Sequence, residues 1–184
     1  MTADQYACTE AVLKATPEAA IVANLGVASW VLAETDDRER NYYMRGAMGC
    51  TTPVGLGVAL STDDPVVVLD GDGSLLMSLG CLSTVGNCAP SNLTIVVWVN
   101  RSFATTGGQP TTGMDFAMAA EACGVTGTAV DSLDEFRSAL DEAADRDGPS
   151  LIACSVETVE PESPETYDYA HEYLEHRFRT ALEP

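Results

Sequence analysis

A chain of 184 residues with 28 acidic against 9 basic side chains, net charge −19, lacks the electrostatic footprint of a nucleic-acid or anionic-membrane binder. Its hydrophobic content of 46% is that of a globular protein, one expected to bury about 70% of its unfolded surface as a single unit. No run of 18 uncharged apolar residues is present, so no membrane span is expected, and no stretch reads as a signal peptide. The six cysteines, at 8, 50, 81, 88, 123 and 154, form neither a Cys-x-x-Cys pair nor a zinc-like spacing with histidine. Free, buried thiols in a reducing, cytoplasmic compartment are the expectation. Lys14 stands alone beside eight arginines. An acidic surface serves solubility alone or suits high salt, where screening shortens self-repulsion; near-absence of lysine favours the second, a halophilic, archaeal protein.

Taken in chain order, residues 3–15 read as a helix with Ala7, Ala11, Val12 and Ala15 on one face. Residues 19–25 form a strand running into Gly26, residues 27–34 a second helix, and residues 34–40 an acidic-polar loop. Residues 53–60 read as a glycine-containing helix with Pro53 in its first turn. Gly55 and Gly57 each weaken it by roughly 1 kcal/mol relative to alanine, which close packing against a neighbour or a ligand would offset. Strand 65–70, helix 74–88 and strand 93–99 make a βαβ core. Asp115 caps a helix through Ala122, residues 128–130 are a strand, Ser132 caps a helix to about Arg146, and residues 149–156 form the last strand. This alternation predicts an α/β fold, a parallel sheet flanked by helices on both faces. The expected domain spans 1–160, with a charged tail over 161–184 that carries a helix from about Thr166.

The run Val66-Val67-Val68-Leu69 ends in Asp70-Gly71-Asp72-Gly73-Ser74. A continuous apolar run reads as a buried parallel strand. Glycines on both sides of Asp72 permit a sharp turn and a close ligand, and place Asp72 on an exposed loop at a strand's carboxyl end, where open α/β sheets bind ligands. The next strand also ends in an oxygen donor, Asn100. A carboxylate, an amide oxygen, a loop carbonyl and phosphate oxygens together suit Mg²⁺. Ser74 reads either as an N-cap or, with Gly73, as a helix start whose amides meet phosphate oxygens.

Gly71-Asp72-Gly73, followed after 25 residues by Val99-Asn100, resembles the motif of thiamine diphosphate-dependent enzymes. Val99 departs from the family's usual Asn or Asp, while Asn100 keeps the ligand position. Residues 41–49 and 105–111 are similar to the two-subunit sulfopyruvate decarboxylases and the related phosphonopyruvate decarboxylases, a similarity running through residues 18–156. The resemblance implies the thiamine diphosphate-binding fold, with Asp72 and Asn100 as side-chain ligands of Mg²⁺ and Ser102 giving its main-chain carbonyl. It implies that Gly46, Ala47 and Met48 hold the aminopyrimidine, with the Met48 thioether propping the cofactor; Met48 as plain core is the alternative. Gly71, Gly73, Ser74, Asn24 and Thr105 are the remaining cofactor candidates. Gly26 reads equally as a strand-to-helix turn, and the loop of Thr105, Thr106 and Gln109 as a closing flap or a merely solvated segment.

The activating glutamate of such enzymes sits on a pyrimidine-binding domain for which this sequence shows no segment. A partner α subunit is therefore expected, in an α2β2 or larger assembly, acting on a small anionic 2-oxo acid. Sulfopyruvate leads and phosphonopyruvate follows; an acetolactate synthase-like carboligase, a non-catalytic regulatory subunit and a flavodoxin-like binding module are the rivals. Arg45 and Arg101 flank the site and depart from the family pattern, reading either as receptors for a sulfonate or phosphonate or as ordinary ion pairs. Tyr169, Tyr173 and Phe178 are expected to form a docking face for the partner.

Overall fold

The computed structural model describes residues 2–159 and 169–183. In chain order the elements are α1 (Gln5–Ala15), β1 (Ala20–Ala23), α2 (Val27–Thr35), β2 (Asn41–Tyr43), α3 (Thr51–Ala59), β3 (Val66–Gly71), α4 (Asp72–Met77), α5 (Cys81–Cys88), β4 (Leu93–Val99), β5 (Ser102–Phe103), β6 (Gln109–Pro110), α6 (Phe116–Ala122), β7 (Thr126–Val130), α7 (Leu133–Ala144), β8 (Ser150–Ser155) and α8 (His171–Leu182). Strands β1, β3, β4 and β8 are apolar runs buried along nearly their whole length. Such strands need cover on both faces. They lie side by side in a six-stranded parallel sheet of order β2-β1-β3-β4-β8-β7.

Alternate residues of each strand feed two cores, as the two-residue period of a pleated strand requires. Ile21, Val67, Leu69, Val96, Trp98 and Ile152 pack against α1, α2 and α7. Val22, Val68, Ile95, Val97 and Leu151 pack against α3, α4, α5 and α6. Asp4 caps α1, Asp115 caps α6 and Ser132 caps α7, each accepting a backbone N–H. Gly55 is explained by a neighbour rather than a ligand: a Cβ there would lie 2.0 Å from Val68 Cγ2, so its absence lets α3 press on β3.

From β1 the chain passes through α2 to β2 on one side, then returns through α3 to β3 on the other. The strand order therefore reverses between β1 and β3, which opens a crevice at their carboxyl ends.

Several expectations are corrected. The helix expected over 74–88 is two helices, because Ser78 leaves helical geometry (φ −137°, ψ 38°) and its hydroxyl donates to the Gly49 carbonyl. Within the stretch taken only as a motif, β2 pairs with β1; three residues are too few to show a period. The loop after Asn100 holds an antiparallel β5–β6 pair. Cys50 and Cys88 are exposed, not buried, although all six thiols are free. The expected start of the tail helix at Thr166 lies outside the described residues; α8 begins at His171 and packs on the edge strand β2. Leu174 joins one core and Phe178 the other. The Phe178 ring meets Tyr42 at 5.4 Å, so Phe178 is an internal contact; Tyr169 and Tyr173 alone of the proposed docking face remain on the surface.

Candidate cofactor and metal site

The crevice at the switch point is lined by Asn24, Leu25, Met48, residues 71–74, Asn100 and Ser102 to Thr106. The sequence-derived candidates Asn24, Met48, Gly71, Asp72, Gly73, Ser74, Asn100, Ser102 and Thr105 thus meet in one cleft. Gly46 and Ala47 do not line it. They face an outer groove with Arg45, Tyr42, His171 and Phe178, on the far side of the same loop.

Asp72 is not on an exposed loop. It is the first residue of α4 and is 3% exposed. Its Oδ1 accepts from Gly73 N (2.7 Å), and its Oδ2 accepts from Arg101 N (2.8 Å) and Thr111 Oγ1 (2.9 Å). Burial pushes its carboxyl above the usual range, opposed by the bonds from Thr111, Gly73 and Arg101. All three donors of those bonds are neutral groups. Asn100 Oδ1 accepts from Ser102 N at 2.9 Å, which turns the chain so that Ser102 follows along the cleft wall.

One residue pair back, Asp70 is fully buried and its carboxyl is likewise pushed up by burial, opposed by Ser74, Thr52 and the Gly71 N–H. Thr52 Oγ1 donates to it at 2.8 Å. The Ser74 hydroxyl accepts from Gly49 N at 3.0 Å. Ser74 is therefore the third residue of α4 and not its N-cap, which is Gly71. It fastens the loop of Met48 to α4, and Ser78 grips the same loop through the Gly49 carbonyl. Positive φ at Gly46 (121°), Ala47 (52°) and Gly49 (89°) shapes that loop. Asn24 Oδ1 accepts from Thr51 Oγ1 at 3.0 Å, joining β1 to α3 on the same floor.

The loop after Asn100 closes down on the glycines. A Cβ on Gly73 would lie 2.5 Å from Phe103 Cε1, and one on Gly26 would lie 2.9 Å from Thr105 Cγ2. Both glycines let that loop lie against the cleft floor. Gln5, Trp98, Phe103 and Thr111 are site residues that sequence reasoning missed. Trp98 Nε1 is buried and has no hydrogen-bond partner among the described residues. Only its place at the end of β4, two residues before Asn100, signals a role.

These observations fit a diphosphate with a hard divalent cation. The buried carboxylate has no cationic group within ion-pair distance among the described residues. Oxygen donors from Asp72, Asn100 and a loop carbonyl are the hard set that Mg²⁺ takes. Arg45 belongs to the outer groove, whereas Arg101 stands beside the cleft.

The family described as thiamine pyrophosphate enzyme, C-terminal TPP binding domain, matches residues 24–154. The chain is 46% identical over 156 residues to phosphonopyruvate decarboxylase of Streptomyces viridochromogenes, covering 83% of this chain and 39% of that protein. It is 30% identical over 184 residues to sulfopyruvate decarboxylase subunit beta of Methanococcus maripaludis, covering 99% of both. The crystal structure of benzoylformate decarboxylase from Polynucleobacter necessarius superposes with a TM-score of 0.74 at 23% identity, over 86% of this chain and 34% of that one. The chain thus spans about a third of the solved enzyme and two fifths of the Streptomyces relative, but nearly the whole of the beta subunit.

Proposed function

The chain belongs to the thiamine pyrophosphate (thiamine diphosphate) enzymes, and from that premise we propose that it is the diphosphate-binding subunit of a heteromeric 2-oxo acid decarboxylase. The observation that carries this reading is the single cleft that gathers Asp72, Asn100, Ser102, the glycine turn and Met48. When bound, thiamine diphosphate supplies the electron sink for loss of CO2. The chain's own residues do the holding. Asp72 and Asn100 would give side-chain oxygens and Ser102 its carbonyl to Mg²⁺. Gly71, Gly73, Ser74, Asn24 and Thr105 would surround the diphosphate and Met48 would meet the pyrimidine, while Gly46 and Ala47, which line the outer groove, would shape the loop that carries Met48.

A pyrimidine-binding α subunit brings the activating glutamate, in an α2β2 or larger assembly; the naming of the full-length relative as a subunit beta supports this. Sulfopyruvate is the leading substrate because the match runs the whole length of that subunit. Phosphonopyruvate is the second reading, favoured by the higher identity to the Streptomyces enzyme. The charge of −19 supports a halophilic, archaeal, cytoplasmic setting. Among the described residues no helix is long and apolar enough to cross a membrane.

Calorimetric titration of thiamine diphosphate into the chain co-expressed with its partner, in molar KCl, tests the reading. Binding is expected only with Mg²⁺ present, followed by CO2 release faster from sulfopyruvate than from phosphonopyruvate. Absence of metal-dependent binding would overturn the cofactor assignment, and the reverse substrate order would install phosphonopyruvate. Full solubility and an unchanged melting temperature at low ionic strength would overturn the halophilic setting.

A further inference from the structure

Three non-glycine residues among those described hold a positive φ: Ala47 (52°), Ala89 (44°) and Arg101 (59°). The left-handed region disfavours any residue with a Cβ. Two of the three carry the smallest side chain that has one. Arg101 carries a long cationic one, and it stands between Asn100 and Ser102 at the rim of the cleft.

The backbone at 101 is fixed from both sides. Its N–H donates to Asp72 Oδ2 at 2.8 Å, and its carbonyl accepts from Thr111 N at 3.1 Å. Those bonds account for the conformation, but glycine would adopt it without strain. They do not account for arginine. Nor does the rest of the fold. Lys14, Arg40, Arg137, Arg177 and Arg179 each have a carboxylate partner, and Arg38 donates to Asn41 and to two backbone carbonyls; Arg146 is exposed and without an ion pair among the described residues, but its backbone does not hold a positive φ. Arg101 is exposed and has no ion pair among the described residues. Its charge nonetheless reaches the Asp72 carboxyl, which it helps to hold down. In a chain of net charge −19, a cation kept in a strained backbone beside a buried carboxylate points to a ligand.

We propose that Arg101 receives an oxyanion at the metal end of the cleft, and that this oxyanion is the cofactor's diphosphate. The proposal rests on the reading of the site given above. A tetrahedral oxyanion could also come from the sulfonate or phosphonate of the substrate. Position favours the diphosphate: Arg101 lies between two of the three proposed metal ligands, and a divalent cation held there would take its remaining oxygens from phosphate. A guanidinium there offers paired N–H donors to phosphate oxygens. It also offsets the negative charge that one divalent cation leaves when a diphosphate meets Asp72.

The test uses the complex of this chain with its partner, comparing wild type with Arg101→Gly, Arg101→Gln and Arg101→Lys. Calorimetry reads the thiamine diphosphate Kd with Mg²⁺, and scanning calorimetry reads Tm. Arg101→Gly is expected to raise Tm by ~2 °C as the backbone relaxes, yet to weaken cofactor binding about tenfold. Arg101→Gln is expected to weaken binding equally without the gain in Tm. Arg101→Lys, which keeps the charge but loses the paired donors, should bind with an affinity between those of wild type and Arg101→Gln. At saturating cofactor the KM for the 2-oxo acid should not move. An unchanged Kd with a raised KM would overturn the diphosphate assignment and give the oxyanion to the substrate. Unchanged Kd and KM in Arg101→Gly would overturn the receptor altogether. A wild-type complex that binds no cofactor with Mg²⁺ would instead refute the site reading on which the proposal rests.

Discussion

Two regions of the molecule draw carboxylates out of water, Asp37 partly and Asp70 and Asp72 almost wholly, and they treat them differently. At the edge of the sheet Asp37 meets Arg177 through two bonds, of 2.9 and 2.8 Å, and accepts a third from Tyr43 Oη at 2.7 Å. The Arg177 side chain is 7% exposed, and its guanidinium lies 5.9 Å from the ring centres of Tyr43, Tyr169 and Tyr173. Burial alone would lower the Arg177 pKa, yet the Asp37 carboxylate raises it; burial and the bond to Asp37 also push up the Tyr43 phenol. That clamp pairs both terminal nitrogens of the guanidinium within the chain, leaves Arg177 Nε buried without a partner among the described residues, and holds α8 against β2. At the switch point, by contrast, Asp70 and Asp72 are held by hydroxyls and backbone amides. Neutral donors orient a carboxylate but leave its charge to be matched from outside, which is what a metal site requires and a structural clamp avoids.

The sharpest way to break this contrast is Asp72→Ala. Removal of the carboxylate is expected to weaken Mg²⁺-dependent cofactor binding at least ~100-fold, equivalent to about 2.7 kcal/mol, measured by calorimetry on the complex. Because Asp72 also ties Arg101 and Thr111 to α4, stability should fall by about 2 kcal/mol as buried donors lose their acceptor. An Asp72→Ala complex that binds as wild type would show the carboxylate to be structural, like Asp37.

Arg177→Met tests the other side. It leaves Asp37 and the Tyr43 hydroxyl without their cation, and should cost about 2 to 3 kcal/mol in urea unfolding, below the usual buried-pair range because Asp37 keeps some contact with water. Cofactor affinity should stay within about twofold, since none of Asp37, Tyr43 and Arg177 lines the cleft. A large loss of affinity would mean that α8 and the switch point act as one unit.

Thr111→Val is the smallest change. It deletes one of the three bonds to Asp72 while keeping the volume, and should lower stability by about 1 kcal/mol. A loss as large as that of Asp72→Ala would mean that the threonine, rather than the carboxylate, organises the turn.

Much of this contrast was readable before any coordinates. The apolar runs ending in Asp70-Gly71-Asp72-Gly73 and in Asn100 marked both the strands and their functional ends, because a buried parallel strand is continuous in hydrophobicity and its break is abrupt. The clamp was not readable. Asp37 and Arg177 are 140 positions apart, and nothing local tells an arginine on an amphipathic tail that it will be buried. Phe178 misled for the same reason, since an aromatic residue on a charged helix looks alike whether it faces a partner or its own sheet edge. Ser74 read equally as a cap or as part of a phosphate-facing helix start because only its local sequence was visible; its partner, Gly49, belongs to another loop.

By itself the sequence determined the α/β alternation, the glycine turn and the oxygen-bearing residues at two strand ends, all of which follow from periodicity and local chemistry. Tertiary structure alone decided that β1 and β3 part at a switch point, that Asp72 is buried, and that Met48 lines the cleft while Gly46 and Ala47 line an outer groove. It also decided that Arg101 is held in the left-handed region by Asp72 and Thr111. Those outcomes depend on hydrogen bonds and packing between segments distant in the chain, and such contacts leave no period in the sequence from which to read them.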